Sequence, residues 1–407
     1  MTSEPDAIVV GAGPCGSAAA AGLAGHGVNT LVLEEHTQVG IPSHCAGHLS
    51  LNGLRRVNLL PLPAGIVENT FYGATFYSPR CKSFSIRFPS PMTCVVNRAL
   101  FDQHTAEIAL KNGATYQYGS RVERLLVEDG RVSGVIVTRK NEVETIRARI
   151  VVDAEGVASR LVRQAGLRTL DRRGLVSAVE AEVETSEDLE LDMVNVFLGQ
   201  EYSPGFYAWL IPKRDGKAKV GLASKHGNPK ELLEKFVLKH PVASVKLRNA
   251  KVLQIAFHPL TLGGPISKTC SSGFLAVGDA ASQVKPTTGG GVILGMTCAE
   301  IAAQVASKSL REGDFSAAFL DEYRRRCDQV LGFDLGIMLR ARRMLDSMSD
   351  RRIDELIGLC GSLGLDKSLL GVRDLDFQGK SLLRVLRSPR VMAVLGYLLL
   401  QYLVVNP

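Results

Sequence analysis

DAIVVGAGPCG, residues 6–16, is an apolar strand, a glycine turn and the start of a helix. Ala7-Ile8-Val9-Val10 is the short continuous apolar run of a strand covered on both faces. Gly11, Gly13 and Gly16 follow at G-x-G-x-x-G spacing. The first makes the turn, the second lets backbone approach a pyrophosphate, and the third lets the helix pack on the strand. The helix N-terminus, with Cys15 inside its first turn, offers free N–H groups and the positive end of a dipole to phosphates. The next apolar run, Thr30-Leu31-Val32-Leu33, ends in Glu34, eighteen residues beyond Gly16. A carboxylate at that point accepts hydrogen bonds from both ribose hydroxyls. Strand, glycines, helix, strand and acid in this order define an adenine-dinucleotide site; a merely structural glycine turn would not need the acid.

A second stretch, GDAASQVKPTTGGG at residues 278–291, repeats the device with different chemistry. The apolar run Ser272–Val277 ends in Gly278-Asp279, where the carboxylate can hold a ribityl chain. Pro286 stiffens the approach to Gly289-Gly290-Gly291, and Val292–Ser307 continues as an Ala-rich helix. Bare glycines at that helix start let backbone N–H groups reach a flavin pyrimidine, and the helix dipole would stabilise negative charge on the reduced ring. Two nucleotide-facing turns about 260 residues apart, one for each end of a single extended ligand, point to non-covalently bound FAD. NAD would need only the first.

The 407 residues are 45% hydrophobic and 22% charged, which suits two or three folded cores and excludes bulk disorder. The net charge of +7 forms no long basic run and accompanies no nucleic-acid-binding motif. An anionic membrane surface or an acidic electron-donor protein suits that balance better. The chain enters its first strand at residue 6, so a cytoplasmic protein is expected. Its eight cysteines show neither C-x-x-C nor zinc spacing, so no metal is expected and most of the thiols read as reduced core residues. A pairing of Cys298 with Cys327 across two helices is compatible with the sequence but not required by it.

The expected fold is α/β. A Rossmann-like FAD-binding domain is assigned to residues 1–55, 91–165 and 265–330, an antiparallel-sheet substrate domain to 56–90 and 166–264, and a helical C-terminal region to 331–407. Residues 174–224 alternate apolar and polar side chains between turns at Ser203-Pro204-Gly205 and Arg214-Asp215-Gly216, the pattern of antiparallel strands. Within them Tyr207, Trp209 and Ile211 fall on one strand face. That row suits the wall of a hydrocarbon channel, or an ordinary core strand holding the only Trp of the chain. Toward the C-terminus, 315–345 and 350–370 read as helices, the second with breaks at Gly361 and Gly364. Lys380, Arg384, Arg387 and Arg390 recur at helical spacing and predict one basic face. The apolar run Val391–Val405 that follows is too short to span a bilayer comfortably. Basic face and apolar run together suit an interfacial anchor or a hydrophobic entrance, with a core-capping terminal helix as the alternative.

These motifs resemble the glutathione-reductase-type flavoproteins of the hydroxybenzoate-hydroxylase fold. Asn97–Asp102 is similar to that family's arginine-containing helix start, which implies that Arg98 contacts the FAD phosphates or ribityl chain. Arg121-Val122 is expected to end a short strand whose backbone at Val122 reads adenine. Ile150–Ser159 resembles a D-G-x-x-S stretch, with Glu155 in place of the usual Asp. Two further segments resemble the geranylgeranyl reductase family, flavoenzymes that saturate prenyl double bonds in archaeal membrane lipids and chlorophyll precursors. Pro204–Pro212 (PGFYAWLIP) is similar to its P-x-x-Y-x-W signature, with Ile211 where many members carry Phe, and Gly40–Gly47 (GIPSHCAG) is similar to its cysteine loop.

The resemblance runs from about residue 5 to 330. It implies that Cys45, Ala46 and Gly47 lie against the isoalloxazine with Gly291 and Val292 on its other side. It further implies that Cys45 is a proton donor or a packing residue, with His44 and His48 as alternative donors, and that the rings of Tyr207 and Trp209 stabilise developing cationic charge. The implied reaction is FAD-dependent reduction of C=C bonds in geranylgeranyl chains, those of ether phospholipids first, by a cytoplasmic protein peripherally associated with the membrane. Electrons would come from NADPH or a small redox protein such as reduced ferredoxin. Three alternatives remain open at this level. Monooxygenases and halogenases share the fold, but the halogenase motif has a second Trp where this chain has Tyr207. Quinone-reducing electron-transfer flavoproteins carry a cysteine-rich iron–sulfur module absent from this sequence. A non-enzymatic lipid binder would purify colourless.

Overall fold

The computed structural model describes residues 4–170, 174–372 and 374–405, with side chains to residue 398. The chain divides into two compact units, one formed by Met1–Ser43, Arg98–Gly174 and Thr261–Leu335, the other by His44–Asn97, Leu175–Leu260 and Gly336–Pro407.

In the first unit Ala7–Val10 is the middle of a six-stranded sheet, all four of its side chains buried. It pairs in parallel with Thr30–Leu33 on one side and Ile150–Asp153 on the other. Thr115–Gln117 and Phe274–Ala276 extend the sheet in parallel, and Cys270–Ser271 closes one edge as an antiparallel partner. Helix Pro14–Gly25 packs on helices Arg98–Lys111 and Val292–Glu312. A three-stranded meander, Ser120–Glu128, Arg131–Arg139 and Glu142–Arg147, shares a core of Ile8, Val10, Val122, Val135 and Phe274 with that sheet. Arg121-Val122 thus stands at the start of a nine-residue strand rather than at the end of a short one, because the chain turns at Gly119 (φ 61°) immediately before it. Cys298 and Cys327 are buried free thiols; burial and the neighbouring Cys327 hold the Cys298 thiol well above its ordinary pKa.

The second unit is built on a seven-stranded sheet in the order Lys251–Thr261, Leu175–Glu184, Lys217–Ser224, Tyr207–Pro212, Met193–Leu198, Gly73–Tyr77, Ser83–Arg87. The expected antiparallel pairs are present, while Met193–Leu198 runs parallel to Gly73–Tyr77. Helices Pro229–Lys239 and Ala243–Lys246 cover one face, where Leu233, Phe236 and Ala243 pack on Ala208, Leu210, Val220 and Leu222.

Residues 44–55 and 91–97, assigned from sequence to the nucleotide domain, belong to this second unit. The reason is pairing: His48–Ser50 joins Thr93–Val96, which in turn joins Val67–Phe71. Nor do the C-terminal helices form a separate body. Ile353, Leu356 and Ile357 of helix Asp350–Ser362 bury against Phe84 of the edge strand, with Phe76, Ile86 and Leu198 packed around them.

The single basic face expected from Lys380 to Arg390 is broken. Helix Gln378–Val385 ends before Pro389, which starts helix Pro389–Val405. Proline disfavours helical backbone at the residue before it and lacks the N–H that would continue the ladder. Lys380 and Arg384 therefore lie on one helix, Arg387 in the turn, and Arg390 on the next, where its Nη1 donates to Gly364 O at 3.2 Å. The described part of the terminal helix is also core-packing: Val391 and Val394 are buried in the C-terminal cluster, and Tyr397 Oη donates to Glu355 Oε2 at 2.9 Å. No helix among the described residues is long and apolar enough to cross a membrane.

Candidate functional site

Sterics explain the first glycine turn. A Cβ on Gly16 would lie 1.9 Å from Gly11 O, so only glycine lets the helix start so close to the strand. At Gly13 an added Cβ would meet nothing within 4 Å, and the helix has no side-chain cap. Its first N–H groups are therefore left for an anion. Glu34, 8% exposed, accepts from Ala12 N at 2.8 Å through Oε2 and from His36 N at 2.9 Å through Oε1. It thereby braces the glycine loop. Cys15 ties the two decisive stretches together. Its Sγ would come within 2.8 Å of a Cβ on Gly278 and 2.4 Å of one on Gly295. Burial pushes this thiol far above its ordinary pKa, as suits a packing residue.

The second turn is equally tight. A Cβ on Gly291 would sit 2.7 Å from Asp279 Oδ1, which places that carboxylate at the uncapped N-terminus of helix Val292–Glu312. Arg98 is held by Asp102 through Nε (3.1 Å) and Nη2 (3.0 Å). Burial raises the Asp102 carboxyl above its usual range, with Arg98 pulling it back. The Val122 side chain is buried, and its carbonyl accepts from Arg160 Nη2 at 3.2 Å. Glu155 proves structural: Oε1 accepts from Leu161 N at 2.6 Å at the start of helix Arg160–Gln164, and Oε2 lies 3.4 Å from Arg160 Nε. Gly11, Gly13, Cys15, Gly16, Glu34, Arg98, Val122, Asp279, Gly291 and Val292 all belong to the first unit. Two helix starts without side-chain caps, which offer N–H donors, and two acceptor carboxylates, one at the end of the second strand and one beside the distal helix, make a set of groups that fits FAD.

Cys45, Ala46, Gly47, Tyr207 and Trp209 belong to the second unit. Alternation holds on strand Tyr207–Pro212: Ala208 and Leu210 pack under the helices, while Trp209 and Ile211 pack with Ala46, Ala74, Val194 and Val196 on the opposite face. Ala46 and Trp209, more than 160 residues apart in sequence, thus share one apolar cluster. The Tyr207 and Trp209 ring centroids are 5.9 Å apart at 67°. Trp209 is opposite Gly221 in register, and a Cβ there would approach the indole to 2.5 Å. Trp209 Nε1 donates to Glu180 Oε2 at 3.0 Å. Desolvation raises the Tyr207 phenol well above its ordinary pKa.

The cysteine loop is held at three points. Gly47 N donates to Cys45 Sγ at 3.5 Å, Val96 N donates to Gly47 O at 2.9 Å, and Lys219 Nζ donates to Ala46 O at 3.1 Å. Gly47 has φ 69°, which disfavours any side chain there. His44 stacks on His258 with centroids 5.7 Å apart, and His48 Nε2 lies 2.7 Å from Thr93 Oγ1. Lys219, Glu180 and His258 escaped the reading of the sequence. A signal for Lys219 existed: it is a lysine in the apolar run Lys217–Ser224, directly across from Ile211, and it is 6% exposed.

Residues 4–332 match the family of FAD binding domains. A digeranylgeranylglycerophospholipid reductase of Methanocaldococcus jannaschii is 35% identical over 370 residues, covering 90% of this chain and 92% of its own. Digeranylgeranylglycerophospholipid reductase 2 of Methanopyrus kandleri is 33% identical over 359 residues, covering 87% and 89%. The chain belongs to the digeranylgeranylglycerophospholipid reductase family. Among solved structures, a geranylgeranyl bacteriochlorophyll reductase-like protein of Thermoplasma acidophilum superposes with a TM-score of 0.86 at 27% identity, covering 97% of this chain and 99% of its own. The likeness to a myxobacterial chondrochloren halogenase, TM-score 0.70 at 21% identity, shows the shared fold alone. As a member of the reductase family the protein is an FAD-dependent oxidoreductase, and its first unit supplies the cofactor-binding fold.

Proposed function

We propose that this protein saturates the isolated C=C bonds of geranylgeranyl chains on glycerophospholipids, at the membrane surface. What carries the reading is coverage. Relatives named for this reaction align over 359 and 370 residues, lengths that must include the substrate sheet as well as the nucleotide unit.

When bound and reduced, FAD supplies a hydride equivalent. Each double bond takes that hydride at one carbon and a proton at the other, so this chain must supply a proton donor and stabilise cationic charge. Cys45 is the donor in this reading. The Gly47 N–H donating to its sulfur would steady the thiolate left after proton transfer. Tyr207 and Trp209 present aromatic rings to carbocation-like charge, a contribution of roughly 1–2 kcal/mol. The apolar cluster of Ala46, Val196, Trp209 and Ile211 excludes water and suits a prenyl chain. Membrane residence follows from the substrate, since each CH₂ exposed to water costs about 0.8 kcal/mol.

Lys219 is the positioning residue for the Cys45 loop in this account. Lys219→Met keeps the length of the side chain and removes the donor to Ala46 O. Because hydrogen bonds from charged donors contribute about 1.5–3 kcal/mol, kcat for prenyl reduction should fall about tenfold with KM and FAD content little changed. Partial rescue by Lys219→Arg would separate positioning from a general packing defect. Unchanged kcat would remove Lys219 from the mechanism.

The function itself is tested by expressing the gene in a host that accumulates digeranylgeranyl phospholipid. Lipid mass should rise by two hydrogens for each bond saturated. A host that retains fully unsaturated lipid while holding FAD-loaded protein, supplied with a competent electron donor, would refute the assignment.

A further inference from the structure

Strand Lys251–Thr261 lies at the edge of the seven-stranded sheet, and its side chains do not follow the pattern of a half-covered strand. Val252, Leu253, Gln254 and Ile255 are exposed in succession, and Phe257 is 52% exposed. Both faces of its first half are therefore uncovered. Just before it in the chain, Leu238 (74% exposed) and Val245 project from helices Pro229–Lys239 and Ala243–Lys246. Six of the eighteen large hydrophobic side chains exposed among the described residues fall within residues 238–257. So high a concentration is not the scatter of single apolar residues found on any surface. A long apolar edge strand is also a template for aggregation, which proteins ordinarily blunt with charge, proline or a cover.

The charge of the same segment identifies the cover. No Asp or Glu occurs between Glu234 and Asp279, an interval that contains Lys239, Lys246, Arg248 and Lys251. None of these four is ion-paired among the described residues. We propose that the edge strand Lys251–Thr261, with helix Ala243–Lys246 and the C-terminal end of helix Pro229–Lys239 before it, is the surface by which this protein docks on an anionic membrane. The inference rests on the lipid-reductase reading and names the element that brings the enzyme to its substrate. Apolar side chains enter the acyl boundary while the cations meet lipid phosphates. Headgroups and their water hydrogen-bond the free N–H and C=O groups of the edge. A second copy of the chain is the weaker occupant, because an isologous contact sets like-signed surface against like-signed surface. The terminal helix is weaker too, since Val391 and Val394 are already buried and the expected basic face is broken at Pro389.

The test uses the full-length, FAD-loaded protein and co-sedimentation with phosphatidylcholine vesicles, with and without phosphatidylglycerol. One variant carries Leu253→Gln and Phe257→Gln, a second Lys246→Gln, Arg248→Gln and Lys251→Gln, and a third Arg384→Gln, Arg387→Gln and Arg390→Gln. The parent should bind phosphatidylglycerol vesicles and release in high salt. The first two variants should lose binding by at least about tenfold, keeping FAD and turnover of detergent-dispersed lipid, while the third binds like the parent. Equal binding by the parent and the first two variants would overturn the proposal. So would a parental dimer that the first variant converts to monomer, which would make the strand a protein interface. Docking and function fail separately: reduction in detergent without vesicle binding sinks only the dock, and vesicle binding without reduction sinks only the reaction.

Discussion

Gly16→Ala should give a chain that no longer retains FAD. The added methyl would stand 1.9 Å from Gly11 O, a backbone atom that cannot rotate away as a side chain could. The helix start must instead lift off the strand, and Cys15, seated against Gly278 and Gly295, must move with it. Overpacking of this kind costs about 3 kcal/mol, which corresponds to more than a hundredfold in FAD affinity. The ratio of flavin to protein absorbance in the purified variant should collapse, while refolding with excess FAD recovers little. Gly13→Ala is the internal comparison, since a Cβ there meets no protein atom within 4 Å and can hinder only the ligand. Full yellow colour in Gly16→Ala would show that the turn does not hold the pyrophosphate.

Trp209→Ala should separate chemistry from cofactor binding. The indole lies on Gly221 and donates to Glu180, all within the second unit, so its loss leaves the nucleotide turn untouched. A cation–π contribution of roughly 1–2 kcal/mol corresponds to about a five- to thirtyfold drop in the rate of alkene reduction. FAD content should stay near that of the parent. Trp209→Phe keeps a ring face, loses the bond to Glu180, and should recover most of the rate. If Trp209→Ala instead loses fold and flavin together, the strand is simply core, since deleting a buried Trp costs about 3–5 kcal/mol.

The nucleotide unit was legible because its constraints are local and steric. Gly11, Gly13, Gly16 and Glu34 lie within one strand–helix–strand unit, and a Cβ at Gly11 or Gly16 would collide with backbone. The row Tyr207, Trp209, Ile211 was legible for the same reason, since strand alternation alone assigns its face. What sequence could not show depends on partners distant along the chain. Lys219 matters through the carbonyl of Ala46, and Glu180 through the indole of Trp209. Glu155 stands at a motif position, yet its bonds run to Leu161 and Arg160. The basic face at 380–390 failed because spacing was counted through Pro389, where the helix breaks. The edge strand Lys251–Thr261 escaped notice because its apolar run reads as core until the sheet order shows it at the margin.

The central claim is that electrons from the bound flavin pass to a prenyl double bond. Anaerobic single turnover tests it most directly. The FAD-loaded protein is reduced with one equivalent of dithionite and mixed with geranylgeranyl phospholipid in the absence of oxygen. The account predicts that oxidised-flavin absorbance returns and that lipid mass spectrometry finds one double bond saturated for each flavin reoxidised. Flavin that stays reduced with the lipid and reoxidises only when oxygen is admitted, leaving every double bond intact or giving an oxygenated product, would contradict it.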